Sequence, residues 1–180
     1  MIRYQAMAEP FRPGPLAIGT APLGGLYTAV SDDDADATLT TAAEAGVTHF
    51  DSAPHYGRGL AESRLGAFLA RRDDRDRFTV STKVGRTVGP TPRRADDDIF
   101  LGAPPGESVF DFSVDGVRAQ LAASRARLGR SFLDLVLIHD PDDHLDTALV
   151  AAEELIRCRD AGDIGAIGRA SCRERVYSGV

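Results

Sequence analysis

The chain's 180 residues carry a net charge of -6, with 43% apolar and 27% charged side chains. That profile suits a soluble chain long enough for one domain with a substantial core, and the acidic balance argues against nucleic acid or an anionic membrane as the main partner. Two cysteines without paired spacing, Cys158 and Cys172, exclude a disulfide framework or a thiolate zinc site and fit a cytoplasmic location.

Met1 to Pro15 lacks the apolar core of a secretory signal, and no run approaches the length of a membrane span. Leu16-Ala17-Ile18-Gly19 reads as a short buried strand. Ser31 followed by Asp32, Asp33 and Asp34 predicts a helix start, a hydroxyl cap and then acids at the positive end of the dipole. The helix should run to Glu44-Ala45 and stop at Gly46. Val47 to Asp51 is the second strand, and Leu60 to Leu69 a helix with Leu60, Leu65, Phe68 and Leu69 near one face. Phe78 to Val84 is the third strand. Gly85 to Phe112 is rich in Gly, Pro and Asp and is expected to be a loop. Ser113 should cap a helix through Leu128, closed by Gly129. Leu133 to His139 is the fourth strand, Leu145 to Ala161 a helix ended by Gly162, and Ile164 to Gly168 opens a fifth strand.

Strand then helix, four times over, predicts right-handed crossovers and parallel strands. An open doubly wound sheet and a closed barrel both satisfy this pattern. The absence of GxGxxG and of a P-loop weighs against the open nucleotide-binding folds.

Three of these apolar strands finish on Asp51, Lys83 and His139, and Tyr56 follows Asp51 on the adjoining loop. In parallel α/β folds the C-terminal strand ends form the active-site face, so these side chains should converge there. A phenol titrates near ~10, and a nearby ammonium favours the phenolate. Lys83 supplies that charge, Asp51 holds Lys83, and His139 is placed to hydrogen-bond a substrate oxygen. Such a set tunes a proton donor beside a carbonyl or alcohol carbon, as hydride transfer requires, without a metal.

The segments Leu16–Thr20, Ala45–Gly57, Gly59–Gly66, Ser81–Arg86 and Leu137–Pro141, in this order, resemble aldo-keto reductases, NAD(P)-dependent oxidoreductases built on a (β/α)8 barrel. The similarity covers Leu16 to Gly168. It implies that Asp51, Tyr56, Lys83 and His139 form the catalytic tetrad, with Tyr56 as general acid–base, NADP or NAD as cofactor and a small sugar or aldehyde as substrate. Ala21–Tyr27 and Val84–Arg86, with the long following segment, look most like the aldose 1-dehydrogenase branch, which includes L-fucose and D-threo-aldose dehydrogenases and pyridoxal 4-dehydrogenase. In that branch a sugar hemiacetal is oxidised to a lactone, and Tyr56 would act as base. The resemblance also implies a barrel cut short after about five β/α units. The family's cofactor-binding residues lie mostly in later strands, so none is assigned here, and the chain alone is expected to be inactive.

Residues 1–168 are therefore expected to be the N-terminal part of such a barrel. Arg169–Val176 matches a translated sequencing adapter, and residues 169–180 are expected to be a non-native tail without functional weight. Two rival readings fit the same residues: a non-catalytic NAD(P)-binding or regulatory subunit on the same scaffold, and a metal-dependent hydrolase using His139 and its acidic neighbours. The acids of His139–His144 are explained by turn formation and solvation in a Pro-containing loop. Asp96–Asp98 is read as a solvated loop, and Arg125, Arg127 and Arg130 as solvated charges at a helix C-terminus. His55 and Arg58 stand beside Tyr56, either at a substrate entrance or on a solvated loop.

Overall fold

A computed structural model describes residues 14–89 and 99–171. Five parallel strands, β1 (Ala17–Gly19), β2 (His49–Asp51), β3 (Thr79–Gly89), β5 (Leu133–His139) and β6 (Ile164–Ala170), lie in the order β1-β2-β3-β5-β6. A sixth strand, β4 (Glu107–Asp111), pairs antiparallel with the distal half of β3. Helices α1 (Asp32–Glu44), α2 (Leu60–Ala70), α3 (Val114–Leu128) and α4 (Leu145–Asp160) connect successive parallel strands. This is an open segment of a (β/α)8 barrel wall: among the described residues β1 and β6 each have one neighbour in the sheet. Among these residues, too, no helix is long and apolar enough to cross a membrane.

Local chemistry sets the element boundaries. The Ser31 hydroxyl accepts from the Asp34 N–H at 3.1 Å, and Ser113 does the same for Gly116 at 3.1 Å. Each satisfies an N–H that the helix leaves without an internal partner. Helix α3 ends where Gly129 turns left-handed at φ 63°, a conformation that costs glycine little.

Strand alternation then divides the sheet into two faces. Phe50, Val80, Val84, Val136 and Ile138 belong to the core beneath the helices, with Leu39, Leu65, Leu121 and Leu155. Phe50 packs on Phe68 and Phe78 with ring centroids 5.8 and 5.6 Å apart. Burial of such side chains, each worth roughly 1.5–3 kcal/mol, dominates the cohesion of the layers. The other face carries His49, Asp51, Ser81 and Lys83.

Two expectations are corrected and a third is extended. Gly85 to Phe112 is not simply a loop: β3 runs on to Gly89 and β4 returns against it, Gly85 opposite Asp111 and Gly89 opposite Glu107. Gln120 of α3 ties down the base of this hairpin. Its side-chain oxygen accepts from the Gly85 N–H at 2.8 Å, and its amide donates to the Asp111 carbonyl at 2.9 Å. Asp96–Asp98 lie outside the described residues. The arginines around the end of α3 also bond inward. Arg127 pairs at 2.7 Å with the fully buried Glu62, Arg130 donates to the Phe78 carbonyl at 2.9 Å, and Arg125 donates to the Asp163 carbonyl at 2.9 Å. Finally, β6 continues two residues past Gly168, its Ala170 carbonyl accepting from the Asp140 N–H at 2.8 Å. Cys172 and the residues after it lie outside the described part.

Candidate active site

The C-terminal ends of β2, β3 and β5 bring Asp51, Lys83 and His139 to one rim, with Tyr56 on the loop that follows β2. Lys83 is buried at 3% exposure. Its ammonium donates to Asp51 Oδ2 at 2.6 Å and to the Ser52 carbonyl at 2.8 Å. The same nitrogen lies 4.7 Å from the centre of the Tyr56 ring, which stands edge-on to His139 with centroids 5.9 Å apart. All four expected residues therefore meet.

Lys83 is the one lysine among 21 basic residues. Where the rest of the chain uses the planar guanidinium fork, this position keeps a compact, rotatable point charge. That exception is visible in the sequence alone.

The Tyr56 loop is held from two sides. Gly57 has φ 60°, and a Cβ there would fall 2.3 Å from the Gly24 carbonyl oxygen. The turn after β1 and the tyrosine loop thus touch backbone to backbone, an approach open to glycine alone. Arg58, also left-handed at φ 52°, donates to the carbonyls of Ala103 and Pro104 just before β4. Strained backbone of this kind persists where surrounding contacts over-determine it.

His139 is fully buried, and among the described residues neither ring nitrogen has a hydrogen-bond partner. Burial pushes its pKa down to about 3; Asp140 opposes this in part, while Lys83, His55 and Arg86 add to it. The ring is therefore neutral at neutral pH, with one nitrogen donating and one accepting. A buried, unpaired N–H beside Tyr56 fits a substrate oxygen.

The linkage has a definite sign. Below about pH 6.5 the unfolded chain takes up a proton that folded His139 refuses, so stability falls as pH drops. The loss grows by about 1.4 kcal/mol per pH unit until the folded value is reached. Urea unfolding should show wild type losing roughly 2 kcal/mol between pH 6.5 and pH 5 from this group, and His139→Gln losing correspondingly less. Burial also lowers the pKa of His49, so the variant's slope should shrink without vanishing. Equal slopes in the two proteins would mean that His139 titrates normally when folded.

Sequence reasoning missed the supporting polar groups. Ser81 donates to Asp51 Oδ1 at 2.6 Å, and Thr20 donates to the Ser52 hydroxyl at 2.9 Å. Asp140, read as part of a solvated turn, is left-handed at φ 46° and pairs with Arg86 at 3.0 Å. Asp142 pairs with Arg169 at 3.0 Å, and His144 lies against Phe110 with centroids 4.4 Å apart. Ser81 was findable, because period 2 along β3 puts it on the Lys83 face; the Asp140–Arg86 pair spans 54 positions and leaves no local trace. An open cleft lined by His55, Arg58, Arg86, Phe100, Glu107 and Ser108 adjoins the tetrad, with the His55 ring 5.8 Å from that of His139.

Comparison with known proteins matches residues 15–173 to the aldo/keto reductase family. The chain is 45% identical over 160 residues to D-threo-aldose 1-dehydrogenase from Pseudomonas sp., covering 85% of this chain and 48% of that protein. It is 42% identical over 135 residues to pyridoxal 4-dehydrogenase from Microbacterium luteolum, covering 69% and 39%. Among solved structures, glycerol dehydrogenase from Gluconobacter oxydans superposes with a TM-score of 0.69 at 27% identity, covering 89% of this chain and 48% of that one. The chain thus spans about half the length, or less, of these relatives.

Proposed function

The chain belongs to the aldo/keto reductase family, and from that premise we propose that it forms the proton-transfer half of an NAD(P)-dependent aldose or aldehyde oxidoreductase site, with Tyr56 as general acid–base. The observation that carries this reading is the Lys83 ammonium, bonded to Asp51 at 2.6 Å and lying 4.7 Å from the Tyr56 ring centre. A cation there favours the phenolate form. Asp51 and the Ser52 carbonyl hold Lys83 in place. Neutral His139 offers an N–H to the substrate oxygen and orients it. In the oxidative direction Tyr56 takes the proton from the sugar hydroxyl; in the reductive direction it returns one to the carbonyl oxygen.

Aldo/keto reductases use NAD(P), and nicotinamide, when bound, takes or gives the hydride at the substrate carbon. The described residues fit that group. Tyr56, with Lys83 and neutral His139 beside it, can hold and move a proton, but none of the three supplies a hydride, and His139 keeps an unpaired buried N–H. Tyr56, His139 and the half-buried inner face at Leu137 and Gly168, opposite one another in the β5–β6 register, would border it. An aldose substrate is supported by the likeness to D-threo-aldose 1-dehydrogenase and by the adjoining cleft. Its two guanidinium groups, carboxylate and phenyl ring suit the hydroxyls and the apolar face of a sugar.

We assign turnover to protein with further β/α units, because the sheet ends at β1 and β6 without closing among the described residues. The test joins residues 1–168 to the C-terminal half of the Pseudomonas relative and follows nicotinamide absorbance with a panel of aldoses and aldehydes. The fusion should turn over and the 180-residue chain alone should not. Turnover by the chain alone would overturn the assignment to further units. A folded fusion inert with every substrate and both cofactors would overturn the reaction class.

A further inference from the structure

Behind the tetrad, a line of hydrogen bonds runs from the barrel floor to Asp51. His49 Nδ1 lies 2.9 Å from Thr79 Oγ1, and His49 Nε2 lies 3.1 Å from Ser81 Oγ. Ser81 Oγ reaches Asp51 Oδ1 at 2.6 Å, and Asp51 Oδ2 meets Lys83 at 2.6 Å. His49, Ser81 and Lys83 are buried at 5%, 1% and 3% exposure. We infer that His49 and Ser81 are positioning residues, which fix the Asp51 carboxylate and through it the place of the Lys83 ammonium beside Tyr56. The inference rests on the acid–base reading of Tyr56 and extends it to two residues that touch neither substrate nor cofactor.

The chemistry of each group sets the direction of the line. Asp51, paired with an ammonium, only accepts, so the single Ser81 proton goes to Oδ1. Ser81 Oγ is then left to accept, and His49 must carry its proton on Nε2. Neutral in its buried setting, His49 accepts at Nδ1 from Thr79, whose other bond, to the Thr48 carbonyl, is longer at 3.3 Å. Every donor points toward the carboxylate, and bonds in such a series polarise one another. Without Ser81, Asp51 keeps Lys83 as its partner but loses the bond that fixes its rotation.

Two measurements on the 180-residue chain test this without requiring turnover. The first is the phenolate absorbance titration of Tyr56, taken as the difference between each protein and its Tyr56→Phe counterpart, so that the other three of the four tyrosines cancel. Lys83→Met should raise the titration by about 1–3 pH units, the span that a neighbouring opposite charge commands. Ser81→Ala and His49→Phe should each raise it by a part of that, about one unit, and Ser81→Thr, which keeps the hydroxyl, should restore it. If Lys83→Met raises the titration and Ser81→Ala does not, the positioning role is overturned and the acid–base reading stands. If Lys83→Met has no effect, the tuning of Tyr56 by Lys83 falls, and this inference falls with it. The second measurement reads the imidazole nitrogen resonances of His49, assigned by their loss in His49→Gln, and holds even where Ser81→Ala fails to fold. A proton on Nε2 is expected; a proton on Nδ1 alone would overturn the line as drawn.

Discussion

Replacing Tyr56 with phenylalanine is expected to lower kcat of the fused enzyme by about 10²- to 10⁴-fold, the range that a positioned general acid–base contributes. The substitution removes one oxygen and keeps the ring. The face toward Lys83 at 4.7 Å and the edge-on contact with His139 at 5.9 Å therefore survive, and KM for the sugar should change only a few-fold. Among the described residues, neither His139 nor Lys83 is placed to take over. His139, its pKa pushed down to about 3 by burial, is neutral at working pH and can donate a hydrogen bond without giving up a proton. Lys83 is committed to Asp51 and to the Ser52 carbonyl. Steady-state kinetics across pH, with unfolding curves to confirm equal stability, measure the effect. A fall in kcat of less than ten-fold would show that the proton travels by another route.

The second large effect concerns stability and is measured on the chain itself. Arg127→Met is expected to cost about 3–5 kcal/mol, the penalty for stranding one member of a buried ion pair. Glu62 is fully buried between α2 and the sheet. One carboxylate oxygen accepts from Arg127 at 2.7 Å and the other from the Thr82 hydroxyl at 2.6 Å. With the guanidinium gone, a buried charge is left with a single neutral donor. Since domains are typically stable by about 5–15 kcal/mol, the loss should move the urea midpoint far or unfold the chain outright. The double variant Glu62→Gln/Arg127→Met should recover most of it, because the carboxylate that needs the cation is then absent. A loss below about 1 kcal/mol would place this pair with ordinary surface bridges.

What could be read from the sequence was whatever local chemistry decides. Ser31 and Ser113 cap because their hydroxyls reach an N–H three residues on, and glycines close the helices because their backbone permits it. The convergence of Asp51, Tyr56, Lys83 and His139 was legible for a related reason. Polar side chains at the ends of apolar strands need a purpose, and parallel topology gathers those ends at one rim. Non-local pairing was not legible. The β3–β4 hairpin escaped because its composition is that of a loop, and because Thr87 and Val88 become strand only when Val109 and Ser108 lie opposite. Arg127 reads as a solvated charge at a helix end, and nothing local pairs it with Glu62, 65 positions away. The line through His49 and Ser81 fell between these cases. Alternation placed both on the tetrad face, and only coordinates could supply the contacts.

The two charge systems share one strand. On β3, Ser81 and Lys83 face Asp51, while Thr82 between them faces Glu62 on the other side of the sheet. A slip of one residue would carry Lys83 toward a carboxylate that Arg127 already neutralises and leave Asp51 facing a threonine, so both sides would lose charge balance at once. Val80 and Val84 would leave the core in the same movement. Strand β3 lies in the middle of the sheet order, and its alignment is checked by hydrophobic burial and by electroneutrality together. Misregistered folding intermediates should therefore be short-lived, because the residues gathered at the rim also make every neighbouring register unfavourable.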